Sequence, residues 1–121
     1  KHYLIGVALS NLASAFNGAR QYAKAEPLFR EAIAMYDATL PADHTTTAIA
    51  HIKLGRTLLR QRRFTEAAPE TLAGYEVISA TASPGNSFLR AARIDLAAIY
   101  DTLGQPERAD RFRKELADTA R

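Results

Sequence analysis

The sequence predicts an all-α fold, a right-handed solenoid of three antiparallel helix hairpins. Three observations predict it. The chain matches itself at an offset of 42 residues: Leu12, Leu54 and Leu96 align, as do Ala8, Ala50 and Ala92, and Ala25, Ala67 and Ala109. Apolar residues recur at helical spacing within each copy. Strand signals are absent. The one β-branched run, Thr45-Thr46-Thr47, falls where the repeat starts a helix, and threonine there can cap free N–H groups.

The copies run over about 1–42, 43–84 and 85–121 and form one domain, 1–121. In the first, Leu4, Ile5, Ala8, Leu9, Leu12, Ala13 and Phe16 trace a helical stripe that Asn17-Gly18 ends. Tyr22, Ala25, Leu28, Phe29, Ala32, Ile33 and Tyr36 trace a second stripe, which ends near Leu40-Pro41. The second copy predicts helices from Thr45 to about Gln61 and from Phe64 to about Ala80, with a turn at Arg62-Arg63. Ser83-Pro84-Gly85 is a loop, and Asn86 or Ser87 caps the next helix. The third copy predicts helices from Phe88 to Leu103 and from Pro106 to about Thr119, with a turn at Gly104-Gln105. Pro106 suits a first helical turn, where its missing N–H has no partner to lose. Small residues at Ala13, Gly55 and Ala97 let paired helices approach, and Phe16, Leu58 and Tyr100 fill the space beside each crossing.

Composition narrows the function. The chain has 121 residues, 47% hydrophobic and 24% charged, which is globular and large enough for a core. It has no cysteine, which excludes disulfides, thiol catalysis and thiolate metal sites. The net charge of +3 is spread evenly, +1 on each copy. A nucleic-acid surface would gather basic residues on one face. No apolar run reaches the roughly 18 residues that cross a bilayer, and no signal peptide opens the sequence. These features lead to the expectation of a cytoplasmic protein without membrane insertion. The first residue is Lys1, not Met, and the sequence is read as a fragment of a longer chain.

The repeat resembles the tetratricopeptide repeat family. The first copy reads Leu9, Asn11-Leu12-Ala13, Phe16, Tyr22, Ala25, Phe29 and Ala32, in the family's order of large, small and aromatic residues. The second reads Leu54-Gly55, Leu58, Phe64 and Ala67, then departs with Thr71 and Gly74. The third reads Leu96-Ala97, Tyr100, Gly104 and Ala109, then departs with Arg113 and Leu116. The 42-residue period and the segment Tyr22-Ala23-Lys24-Ala25-Glu26-Pro27-Leu28-Phe29 resemble the kinesin light chain subclass. The stretch from Leu96 to Leu116 is similar to the end of tetratricopeptide regions downstream of bacterial serine/threonine kinase domains.

The resemblance implies a non-catalytic protein-interaction scaffold that binds a peptide or partner protein in a concave groove lined by the first helix of each hairpin. The groove slots it implies include Asn11, Ser14, Asn17, Ile49, Ile52, Lys53, Arg56, Leu59, Arg60 and Asp95. Lys53, Arg56 and Arg60 share one helix face by their spacing, and arginine favours carboxylate or phosphate. An acidic partner is therefore expected, met by the three cations and by apolar contact from Ile49, Ile52 and Leu59. Arg56 and Arg60 are both expected to point to solvent. The alternative is a structural or oligomerisation solenoid segment, such as the C-terminal regulatory region of a bacterial serine/threonine kinase or other signalling protein.

Chemistry beyond binding has little support. His44 and His51 lie two helical turns apart with no carboxylate at metal-ligand spacing on their face, so neither metal nor cofactor is expected. No phosphate-binding or nucleophile-elbow motif is present, and the charged residues read as solvated helix faces.

Three mechanical expectations complete the reading. Pro27 and Pro69 share one offset and should bend their helices or loosen the first turn. Thr71 and Gly74, standing where the first copy has Phe29 and Ala32, should make the second copy the softest. The last helix, with its narrow stripe of Ala109, Phe112 and Leu116, should cap one end. Residues 1–5 offer no such cap, which leaves an open N-terminal face through which the chain is expected to self-associate.

Overall fold

The structure, a computed structural model, describes residues 2–120. Lys1 and the side chain of His2, named with the open N-terminal end, lie outside the described residues. Six helices follow one another: α1 (His2–Gly18), α2 (Tyr22–Thr39), α3 (Thr45–Arg60), α4 (Phe64–Thr81), α5 (Ser87–Thr102) and α6 (Pro106–Thr119). No strand occurs among the described residues. The starts of α2, α4 and α6 are spaced by 42 residues, as the self-match requires.

Each hairpin closes by one device. The amide of Gln21 donates to the Phe16 carbonyl at 2.8 Å, Arg63 to Leu58 at 3.0 Å, and Gln105 to Tyr100 at 2.8 Å. These six-to-one bonds satisfy carbonyls that the helix end leaves free, and they need a left-handed residue just before the donor. Arg20 (φ 61°), Arg62 (φ 62°) and Gly104 (φ 73°) take that conformation. Only the third copy uses glycine for it. The turns expected at Asn17-Gly18, Arg62-Arg63 and Gly104-Gln105 thus share one geometry, and the first is centred at Arg20.

The caps differ from copy to copy. The Asn86 side chain accepts from the amides of Phe88 (2.8 Å) and Leu89 (3.2 Å). At α3 the cap is His44, whose Nδ1 accepts from the Thr46 amide at 3.1 Å, rather than a threonine of the Thr45–Thr47 run.

The structure bears on two mechanical expectations, and it corrects the loosened first turn expected at the prolines. α2 and α4 continue through Pro27 and Pro69, and their first turns are closed, with Ala25 N–H to Gln21 at 3.1 Å and Ala67 N–H to Arg63 at 2.9 Å. Each proline is exposed in the second turn of its helix and removes a single bond beyond the first turn. Gly74 is not a hole either. A Cβ there would come within 2.4 Å of the Ala48 carbonyl oxygen, so glycine is what lets α4 lie directly on α3. Beside it, Thr71 is fully buried and its hydroxyl has no hydrogen-bond partner.

The hairpins stack so that α2 lies on α3 and α4 on α5. The backbones of the first helices also approach one another across hairpins, α1 with α3 and α3 with α5; between second helices the contact is made by side chains, as where Tyr75 on α4 meets Phe112 and Glu115 on α6. The stack therefore curls with α1, α3 and α5 on its inner side. A continuous core runs between the layers, from Phe29 and Tyr36 through Leu54, Leu58 and Ile78 to Leu96, Ile99 and Phe112. α6 buries Ala109 and Phe112 and turns most of its remaining residues to solvent.

Candidate functional site

The inner face is where the implied groove residues fall, and the structure binds several of them to each other. Ser14, on α1, accepts from Nζ of Lys53 on α3 at 3.3 Å. The Asn17 side-chain oxygen lies 3.0 Å from the Thr57 hydroxyl. Nε and Nη2 of Arg56 donate to the two oxygens of Asp95, each at 3.0 Å. These rungs join residues 39 or 40 apart, one repeat less a shift of two or three positions. Such a shift brings side chains on neighbouring first helices level with one another.

The Arg56–Asp95 rung corrects two expectations. Asp95 is 2% exposed and so is not an open acidic end of the groove. Arg56 does not simply point to solvent: a bidentate, charge-assisted pair ties it to Asp95. That hydrogen bond raises the guanidinium's pKa, against the opposing effect of burial. Nη1 of Arg56 keeps its donors free of Asp95. Ile52 is also misplaced in the sequence reading. It is 3% exposed and lies against the position of Gly74, inside the α3–α4 contact, so it is not a groove surface. Ile49 and Leu59 are half-buried and pack on the core. Asn11 and Arg60 are exposed.

At one end of this face a recess of about 310 Å³ is lined by Asn17, Gly18, Arg20, Tyr22, Arg56 and Arg60. Three guanidinium groups bound it, two of them on exposed residues. Among the described residues neither Arg20 nor Arg60 has an ion-pair partner. Arg20 was missed in sequence because it lies in a turn, outside the helical slots; its match to Arg62 at the repeat offset was the available signal. The neighbouring turn is neutralised instead. Arg63 reaches Glu26 (2.5 Å) and Glu66 (2.6 Å). Burial works to raise the Glu26 carboxyl, but bonds from Arg63, Gln61 and Arg30 outweigh it and hold it below the usual range.

Two wider recesses, about 400 and 390 Å³, open near the start of α3 and gather Asp43 and Glu76, the second also Asp37. Their carboxylates repel anions. His44 there serves as a cap, and Nδ1 of His51 meets Oε1 of Glu70 at 2.7 Å. Among the described residues no three of His, Asp and Glu are placed to hold a metal ion. No helix is long and apolar enough to cross a membrane, among the described residues.

The sequence model of the tetratricopeptide repeat matches residues 4–69. No curated protein sequence matches the chain. Two solved structures share its fold: nearly identical TPR-like repeats of a Podosopora anserina protein assigned to the kinesin light chains, and a single-substitution variant of the same protein. Both are 18% identical to this chain, with TM-scores of 0.81 and 0.82. Each alignment covers 98% of this chain and 56% of the other, so the chain spans little more than half of those structures.

Proposed function

The chain belongs to the tetratricopeptide repeat family, and on that premise we propose that it is a protein-interaction scaffold whose inner face binds an acidic peptide segment. The family is one of binding scaffolds. The observation that supports an acidic ligand is the recess where Arg20, Arg56 and Arg60 converge with Asn17 and Tyr22. Arg20 and Arg60 bring positive charge that no carboxylate of the described chain offsets, and Nη1 of Arg56 adds a further donor. Cations gathered at a concave wall attract an anionic partner and supply bidentate bonds to its carboxylates. Lys53, Ser14 and Asn11 extend the polar track along α1 and α3, while Ile49 and Leu59 flank it. Exposed ion pairs are individually weak and screened by salt, so binding through this face falls as ionic strength rises.

The test uses a fluorescein-labelled glutamate-rich peptide as probe, titrated at low and physiological salt. The wild-type chain should bind it more tightly at low salt. The double reversal Arg20→Glu/Arg60→Glu should weaken binding at least tenfold with helicity unchanged, because both side chains are exposed and unpaired. Arg56 is left intact, since it neutralises the buried Asp95. Binding undiminished by the reversal would refute the basic-recess reading.

A second reading, a structural or self-associating solenoid segment, is favoured by one observation: α1 turns Leu4, Ile5 and Leu12 to solvent.

A further inference from the structure

On the outer side of the stack, α4, α5 and α6 enclose a recess of about 280 Å³ lined by Leu72, Tyr100, Arg108, Arg111 and Phe112. Its floor is apolar. The Tyr100 and Phe112 rings lie 6.1 Å apart with planes within 12°, and the two residues are 4% and 1% exposed. Leu72 is half-buried beside them. Its rim is cationic. The guanidinium of Arg108 stands 5.5 Å from the Tyr100 ring centre, and that of Arg111 4.9 Å from the Phe112 ring centre. A guanidinium over a ring is attracted by the ring's face and keeps N–H donors at its edge for a carboxylate. Arg111 also meets Glu115 at 3.3 Å, whereas Arg108 has no ion-pair partner among the described residues.

The repeat shows what is particular to this place. One repeat earlier the same five positions hold Arg30, Leu58, Glu66, Pro69 and Glu70. Arg30 pairs with Glu26, Glu66 with Arg63 and Glu70 with His51, so the charges there are met from within. A cation over an aromatic ring recurs in the first copy, as Lys24 over Phe16, so the stack alone marks no site. The pair of cations around an open apolar floor belongs to the third copy.

We propose that this outer recess docks a partner protein through one aromatic side chain flanked by carboxylates. The volume lies below the roughly 300–1,000 Å³ of a small-molecule site and suits a single side chain. Leu72, Tyr100 and Phe112 offer an incoming ring apolar and ring-to-ring contact, and an aromatic anchor in such a pocket carries much of an interface's energy. Carboxylates beside that ring meet Arg108 and Arg111, whose charge selects an acidic segment. The proposal goes beyond the inner-face reading and does not rest on it, since the two recesses share no residue.

The test titrates three fluorescein-labelled peptides: one phenylalanine between glutamates, the same peptide with alanine for phenylalanine, and the same peptide with glutamine for every glutamate. The protein is the Arg20→Glu/Arg60→Glu chain, in which the inner recess is already disabled. The first peptide should bind at least tenfold more tightly than either control. Amide chemical shifts should change most at Leu72, Tyr100, Arg108 and Phe112. Adding Arg108→Glu should remove the gain from the glutamates, and the second copy already carries glutamate at that position, Glu66. Adding Leu72→Gln should remove the gain from the phenylalanine. Equal binding of all three peptides overturns the proposal, as does a preference that survives both added substitutions. Shift changes centred on α1 and α3 would place the phenylalanine in the inner groove and overturn the outer site as well. If the glutamate-rich peptide fails on the wild-type inner face, these outcomes stand unaltered, because Arg20 and Arg60 take no part in them.

Discussion

Arg20 and Arg62 hold left-handed backbone conformations that the third copy assigns to Gly104. A residue with a Cβ pays about 1–2 kcal/mol for that geometry, and glycine does not, although glycine loses more entropy on folding. Arg20→Gly is therefore expected to stabilise the chain by about 0.5–1 kcal/mol. Arg62→Gly should gain less, because Arg62 also lies 5.5 Å from the centre of the Phe64 ring and would lose that contact. Urea denaturation of both variants checks the order. A lower midpoint for Arg20→Gly would show that the turn is held by that side chain rather than strained by its backbone. The same substitution should weaken the glutamate-rich probe, since Arg20 lines the recess. Stability and binding are then opposed at this one residue.

Gly74 sets the packing between α3 and α4. Helix propensity alone favours Gly74→Ala by about 1 kcal/mol. The structure reverses that sign, since the new methyl would meet the Ala48 carbonyl at 2.4 Å and Ile52 Cγ1 at 2.6 Å. Backbone cannot give way as a flexible side chain does, so overpacking by about 1–3 kcal/mol outweighs the propensity gain. Gly74→Ala is expected to lower stability by about 1–2 kcal/mol net. A thermal midpoint raised by this substitution would mean that the two helices separate easily, and the sequence-based expectation of a soft second copy would then stand. The close fit leads to the expectation that amide hydrogen exchange is no faster in α4 than in α2.

For the molecule as a whole, acid is the expected weakness. At the α4–α5–α6 junction Glu115 bonds to Tyr75, to Arg93 at 3.0 Å and to Arg111 at 3.3 Å. Burial works to raise its carboxyl, but bonds from Tyr75, Arg93 and Arg111 prevail and hold it below the usual range. Glu26 behaves likewise between the first and second hairpins. A carboxyl lowered in the folded state gives stability that is complete above the unfolded-state value and is lost as the pH falls through the folded one. Both junctions should therefore loosen below the ordinary glutamate range, and the contribution of these two carboxylates should be flat from there to neutrality. Glu115→Gln should lower stability at neutral pH and flatten the acid limb. A variant that keeps the full acid slope would place the titrating group elsewhere.

The fold was legible because a repeat states its pattern three times. Leu12, Leu54 and Leu96 mark the stacking columns, and local spacing fixed six helices whose observed ends lie within a residue or two of those expected. The candidate site was legible only as a face. Sequence placed Lys53, Arg56 and Arg60 together on α3, because helical spacing alone brings them there. It did not show that Arg56 reaches Asp95, that Ile52 turns inward onto Gly74, or that Arg20 joins Arg60 in one recess. Each of those depends on how far one hairpin slides and rotates against the next, which side-chain packing decides and periodicity does not record. Sequence by itself determined the helices, their pairing and their order. The tertiary structure alone decided which charges are already neutralised, which remain for a partner, and that Leu72, Tyr100 and Phe112 share one recess with two arginines.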